Sequence, residues 1–229
     1  MNGTGRTSRK KQSKQHRRAN RPNSQQTVSG TVSKKQQAIL NAPVKFGDEV
    51  LVTIYGIGSS GEGVGRVDDF TIFVPFALPG ETVKVVINMV KKTYATGRLL
   101  ELVTMAPNRI DASCDLYGFC GGCQLQHITY EGQLSLKTQK VKDVIERIGH
   151  QNPDLVKPAL GPKEPWAYRN KMQMPVGGTK GDIQMGFYAM GSHDIVQGTN
   201  CPIQDEGNNI IAQACYQIAK EFDIEPYDE

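Results

Sequence analysis

Val50-Leu-Val-Thr-Ile-Tyr55 sets Val50, Val52 and Ile54 against Leu51, Thr53 and Tyr55, the two-residue period of a β-strand. Working outward, Thr71-Ile-Phe-Val-Pro75, Val83-Lys-Val-Val-Ile-Asn88 and the run from Tyr94 to Leu102 read the same way. Turn-forming stretches at Gly56–Gly65, Asp68-Asp69 and Leu78-Pro-Gly80 separate them. Several short strands in about 60 residues, punctuated by turns, predict a small closed β-barrel. One stretch imitates another motif: Gly56-Ile-Gly-Ser-Ser-Gly61 matches G-x-G-x-x-G behind a strand. A dinucleotide site needs a helix N-terminus next, to hold the pyrophosphate. Glu62-Gly-Val-Gly-Arg-Val67 follows instead, without helical periodicity. These glycines are read as a tight bend between barrel strands.

The chain has 229 residues, of which 38% are hydrophobic, enough for one or two modest cores and too many for wholesale disorder. It contains no apolar run long enough for a transmembrane helix, and its N-terminus lacks the apolar core of a secretory signal. A cytoplasmic location away from membranes is expected, and a monomer. The net charge of +4 conceals an asymmetry: residues 1–47 hold 11 Lys or Arg and no Asp or Glu, leaving 16 basic and all 23 acidic residues to the remainder. Residues 1–41 are expected to form a disordered basic tail, because they have little to bury against their ordering entropy. A mobile cationic arm binds phosphate backbones through counterion release, without reading bases.

Beyond the barrel, expected over residues 42–105, a loop with three cysteines covers about 106–128. Thr129–Gly149 then reads as a helix with Leu134, Val141, Val144, Ile145 and Ile148 on one stripe and Gly149 as its C-cap. Strand-like segments return at Tyr168–Val176, Ile183–Tyr188 and His193–Val196. A second helix is expected at about Asp205–Phe222, with Ile210, Ile211, Ala214, Ile218 and Phe222 facing inward. Cys215 falls on that stripe and is read as a small buried hydrophobe rather than a nucleophile.

Cys114, Cys120 and Cys123 form C-x5-C-x2-C, and Cys201 follows far downstream with Pro202 behind it. In a cytosolic chain such a cluster points to a metal or redox role before a structural disulfide. Gly121 and Gly122 leave backbone N–H groups free to face sulfur, and a distant Cys-Pro is common in iron–sulfur ligation. Zinc is the alternative, with His127 completing a Cys3His tetrahedron. Spacing leaves both open. A radical S-adenosylmethionine site is disfavoured, because its usual spacing is C-x3-C-x2-C.

The chain resembles the N-terminal half of the bacterial RNA (uracil-5-)-methyltransferases that modify 23S ribosomal RNA and carry an iron–sulfur cluster. Gly61-Glu-Gly-Val-Gly-Arg66, Ile72-Phe-Val-Pro75 and Ala77-Leu-Pro-Gly-Glu81 look like that family's TRAM domain, an OB-like RNA-binding barrel. Phe119-Cys-Gly-Gly-Cys-Gln-Leu-Gln-His127 looks like its cluster loop. Trp166-Ala-Tyr-Arg-Asn-Lys171, Gln184-Met-Gly-Phe187 and Ser192-His-Asp-Ile-Val196, up to Cys201-Pro202, resemble its central domain. The resemblance implies a mainly β fold with some α structure, a TRAM barrel followed by an incomplete α+β iron–sulfur and central domain over residues 106–229. It implies a 4Fe–4S cluster on Cys114, Cys120, Cys123 and Cys201, with His127 a neighbour only. Arg66, Arg98, Tyr168, Arg169 and Lys171 are the expected RNA contacts: arginines beside barrel strands to track a backbone, Tyr168 to stack on a base, Arg169 and Lys171 to meet phosphate.

The family's reaction needs a thiolate that adds to C6 of uracil, a base for the C5 proton and an S-adenosylmethionine site, housed in a C-terminal Rossmann-like domain. No βαβ alternation with a Gly-rich turn follows Cys201. The expectation is a truncated chain that binds RNA and a cluster but not S-adenosylmethionine, has no catalytic residue of its own and is inactive alone. The alternative is a stand-alone, non-catalytic RNA-binding module with an iron–sulfur or zinc site.

Overall fold

The computed structural model describes residues 41–227. The basic tail expected over residues 1–41 lies outside the described residues except for Asn41. Five strands form a closed barrel: β1 (Glu49–Ile57), β2 (Gly63–Val67), β3 (Phe70–Val74), β4 (Thr82–Val90) and β5 (Tyr94–Thr104), in the order β1-β2-β3-β5-β4. All neighbours are antiparallel except β3 and β5, which run parallel with Thr71 opposite Tyr94 and Phe73 opposite Thr96. Alternate residues point inward, so Val52, Ile54, Ile72, Val74, Val83, Val85, Ile87 and Ala95 fill the interior. Burying each of the larger ones is worth about 1.5–3 kcal/mol.

β2 was hidden in the sequence, because its stretch reads as turn. Its inward positions, Gly63 and Gly65, carry no apolar side chain to signal a strand. They are glycine because the barrel wall is too close for more: a Cβ at Gly65 would lie 2.2 Å from a methyl of Val52. The glycine bend therefore joins two strands, and no helix follows it. At the next turn Asp68 and Asp69 both take left-handed φ, 47° and 61°. That is the two-residue hairpin geometry whose twist suits flanking strands.

Helix α1 (Tyr130–Arg147) is capped by the Thr129 side chain, which accepts from the Gly132 N–H. Gly149 is not the left-handed residue at its end; Ile148 is the C-cap and the next positive φ, 50°, belongs to His150. Gly149 is needed for room instead, as a Cβ there would sit 2.7 Å from the Ile145 carbonyl oxygen. A three-stranded sheet follows, β6 (Val176–Thr179), β7 (Asp182–Tyr188) and β8 (Ile195–Gln197), then α2 (Glu206–Glu221).

Two expectations fail here. Tyr168–Val176 is not a strand: Arg169 bonds Ile203 and Asp205 around a single bridge to Gln204, the Pro175 carbonyl accepts from Gly186 N–H at 3.3 Å, and regular pairing starts only at Val176. Pro175, lacking an N–H, suits that break. The α2 stripe is also turned away from the core, and that of α1 is only partly covered, with Leu134 and Ile145 half-buried. On α1, Val141, Val144 and Ile148 are exposed, and on α2 so are Ile210, Ile211, Ala214, Ile218 and Phe222. Ala212 is the buried residue of α2, and Cys215 is exposed rather than buried. Periodicity reports which face a helix can bury, not which face its neighbours take.

Candidate cysteine centre and nucleic-acid interface

The cysteine loop is assembled from turns. Tyr117 N–H donates to the Cys114 carbonyl at 3.0 Å, and Cys120 N–H to that of Leu116 at 2.9 Å. Its tip is pinned to the end of β7, where Gly121 N–H donates to Tyr188 and Met190 N–H to Phe119, at 2.9 and 3.0 Å. Cys201 is held from the other side by the first turn of α2: its N–H donates to Asn209 Oδ1 at 3.0 Å, and Asn209 Nδ2 donates back to its carbonyl at 3.2 Å. These anchors bring Cys114, Cys120, Cys123 and Cys201 around one small cavity of about 40 Å³, which Leu116, Phe187 and Ile203 also line. All four are half-buried. Gly122 N–H points at Cys120 Sγ, 3.4 Å away.

Burial pushes the Cys123 thiol up from its ordinary value, and the charges of Cys201, Cys120 and Cys114 push it further. Four thiolates cannot share this space without positive charge among them. No three His, Cys, Asp or Glu side chains among the described residues are arranged to hold a metal ion.

His127 stands apart from the four sulfurs. It is buried, its Nδ1 shares a short hydrogen bond with the Tyr117 hydroxyl, and its Nε2 has no hydrogen-bond partner. Burial and the positive charge of Arg109 lower its pKa to about 4, so the ring is neutral. Burial raises the Tyr117 hydroxyl to about 12. His127 is not among the residues that line the cysteine cavity.

The five expected RNA contacts are dispersed. Arg66 projects from β2, with its guanidinium 5.7 Å from the centre of the Tyr55 ring and 3.8 Å from Asp69. Arg98 lies exposed on β5, opposite Val86. Arg169 and Lys171 line one pocket with Phe187, Tyr188 and Gln204, and Arg169 also borders the cysteine cavity. Tyr168 does not join them; it lines a different hollow beside Trp166 and Cys123.

Sequence reading missed the residues that position this region. Gln204 is buried, and with its amide turned to donate it bonds the Arg169 and Lys171 carbonyls at 3.3 and 3.2 Å. Glu81 is wholly buried; it accepts from Leu78 N–H at 2.8 Å and Ala106 N–H at 3.2 Å, and pairs with Arg109. Arg109 also donates to the Phe76 carbonyl at 2.6 Å. Neither residue belongs to a periodic pattern, so only a charged residue inside an otherwise turn-like stretch signalled Glu81.

Residues 43–100 match the family model described as the TRAM domain. A protein of Halalkalibacterium halodurans named as an uncharacterized RNA methyltransferase is 44% identical over 195 residues, 85% of this chain and 42% of that protein. One of Clostridium tetani with the same description is 44% identical over 187 residues, covering 82% of this chain and 40% of its own length. The chain thus spans about two fifths of the curated relatives it matches. Among solved structures, the Pyrococcus abyssi tRNA (uracil-54, C5)-methyltransferase in complex with S-adenosyl-L-homocysteine shares the fold over 76% of this chain and 37% of that one, at TM-score 0.52 and 22% identity. No helix among the described residues is long and apolar enough to cross a membrane.

Proposed function

We propose that this chain, a TRAM-domain relative of proteins named as RNA methyltransferases, supplies RNA binding and a 4Fe–4S site to the S-adenosylmethionine-dependent methylation of uracil C5 in 23S ribosomal RNA. The observation that carries the reading is the gathering of four cysteines around one cavity bordered by Arg169, itself part of a cationic pocket with Lys171.

The donor set fits a cluster. Cys114, Cys120, Cys123 and Cys201 would hold it; its positive charge would offset the burial, and the lesser repulsion from the other sulfurs, that raise Cys123. When bound, the cluster supplies a crosslink between the cysteine loop and the start of α2; transfer of a methyl group from a sulfonium to carbon needs no electron.

The chain's own residues do the binding. Arg66 and Arg98 track a backbone along the barrel, Arg169 and Lys171 meet phosphate, and Tyr168 stacks on an unpaired base. The nucleophile for C6, the base for the C5 proton and the methyl-donor site belong, in this reading, to the part of the relatives that this chain does not span. The working location is the cytoplasm, where ribosomal RNA is found, and the chain acts as a monomer.

The test incubates labelled S-adenosylmethionine with unmodified 23S RNA and either this chain or the longer Halalkalibacterium halodurans relative. Label is expected in 5-methyluridine with the relative and none with the 229-residue chain. Turnover by the chain itself would overturn the division of labour and make the exposed Cys215 the first candidate nucleophile. Label in another position would overturn the uracil assignment.

A further inference from the structure

A cleft of about 570 Å³ lies between the outer face of the barrel and the cysteine loop. Phe73, Met89 and Tyr94 line it from β3, β4 and β5, and Gln124 and Met190 from the opposite side. The rings of Phe73 and Tyr94 meet edge to face, with centroids 5.4 Å apart at 81°. Phe73 and Tyr94 point outward, since their neighbours Ile72, Val74 and Ala95 are the inward, buried residues. The barrel interior therefore owes nothing to these two rings. Flat rings and thioethers on one concave surface make an apolar slot of the size that takes a small planar ligand.

The surroundings say which ligand. A second hollow, lined by Lys137 and Lys140, adjoins the first and shares Ser60, Gly61, Gln124 and Met190 with it; Lys140 Nζ lies at its rim, 3.5 and 3.4 Å from the Gly58 and Ser59 carbonyls. Arg66 stands opposite Thr71, and Thr71 opposite Tyr94, which places a cation one strand beyond the cleft. Arg98 follows Thr96 by two residues on the outer face of β5. An acidic group is present as well: Glu62 lines the cleft, with its Oε2 accepting from the Ser60 N–H at 2.9 Å. Stacking surfaces within and lysines and arginines around the edge form the pattern that proteins use for single-stranded nucleic acid.

We propose that this cleft receives an unpaired nucleobase of the bound RNA, stacked on the Tyr94 ring with Phe73 against its edge, and with the adjoining phosphates on Lys137 and Lys140. The inference rests on the RNA-binding reading above and adds a base-holding site distinct from Tyr168. It also gives the cysteine loop a second task, since that loop builds the wall facing the barrel. Gly61, with φ of +88°, permits this: a Cβ there would come within 2.9 Å of the Gln124 side chain.

The test uses the full chain and a fluorescein-labelled single-stranded oligouridine, with binding followed by anisotropy over a salt series. Tyr94→Leu keeps apolar volume and removes the ring; its folding is checked by circular dichroism. It should weaken binding by about 5-fold or more, within the roughly 5- to 150-fold range of a stacked base, and leave the salt slope unchanged. The double variant Lys137→Ala/Lys140→Ala should instead lower the slope, by about 0.7 for each phosphate no longer neutralised. On the unmodified protein, 4-thiouridine RNA should crosslink to peptides containing Phe73 or Tyr94. A folded Tyr94→Leu protein that binds like the parent, or crosslinks confined to other segments, would overturn the cleft while leaving RNA binding intact. A parent chain that binds no RNA would overturn both.

Discussion

Arg109 donates through Nε and Nη2 to the two carboxylate oxygens of Glu81, at 2.5 and 2.7 Å, and so ties the chain leading into the cysteine loop to the turn before β4. Glu81 has no exposure to water, and the Arg109 side chain is 11% exposed. Burial pushes the Glu81 carboxyl up, but Arg109 and the Leu78 and Ala106 N–H groups outweigh it and hold the pKa below its ordinary 4.5.

Arg109→Ala should therefore cost about 3–5 kcal/mol, because it leaves a carboxylate buried and unpaired. Urea unfolding measures this directly. A loss below about 1 kcal/mol would mean that water reaches Glu81 and that the pair is equivalent to a surface one. The pair has an acid limit too. A depressed carboxyl stabilises the fold above its unfolded pKa, and that contribution disappears as pH falls from 4.5 through the lower folded value.

His127 governs a different range. Its pKa is about 4 in the folded chain against 6.5 unfolded, so the unfolded state takes up the proton first. Stability should be complete above 6.5 and fall by up to about 3 kcal/mol as pH drops toward 4. His127→Phe, which keeps a ring beside Phe76 and Tyr117, should flatten that slope. An unchanged slope would assign the pH dependence to other groups.

Anaerobically purified protein should be brown, with iron and sulfide in about equal amounts. Cys201→Ser should release both, whereas Cys215→Ala, at an exposed helix position, should keep them. Stoichiometric zinc without sulfide would refute the cluster.

Deleting residues 1–38, which carry 10 basic and no acidic side chains, should weaken RNA binding and flatten its dependence on log salt. The slope should drop by about 0.7 for each single-strand phosphate that the arm had neutralised. If the truncated and intact chains give parallel salt plots, the arm does not touch the RNA.

The barrel was legible because its inward residues are apolar at every second position, and Val52, Ile54, Ile72, Val83 and Val85 are all buried as that period requires. β2 escaped because glycine marks a close approach of backbones by what it lacks. Both helices were visible, but the orientation of α2 was not. Its inward face is Ala212 and the half-buried Tyr216, whose hydroxyl bonds Gln197 on β8 at 2.5 Å, while the stronger apolar stripe faces out. The four cysteines were visible as a set, and their convergence depends on main-chain bonds to β7 and on Asn209, which no spacing rule contains. Arg169 and Lys171 stand out in the sequence by their charge; the amide of Gln204 that holds their backbone is uncharged and belongs to no motif.

The parallel pairing of β3 with β5 has a consequence for how the barrel forms. Thr71 and Tyr94 are far apart in the chain, and all of β4 must be threaded between them before they can pair. The β2–β3 hairpin can form from local contacts, but the ring shuts only when β5 arrives, a slow, high-contact-order step. Until then β3 and β4 each present a bare row of N–H and C=O groups, and the outward Phe73 sits on one of those open edges. A chain cut just before Tyr94 would keep four of the five strands and be left as a sticky, unclosed sheet, so the smallest independently folding barrel must run through β5.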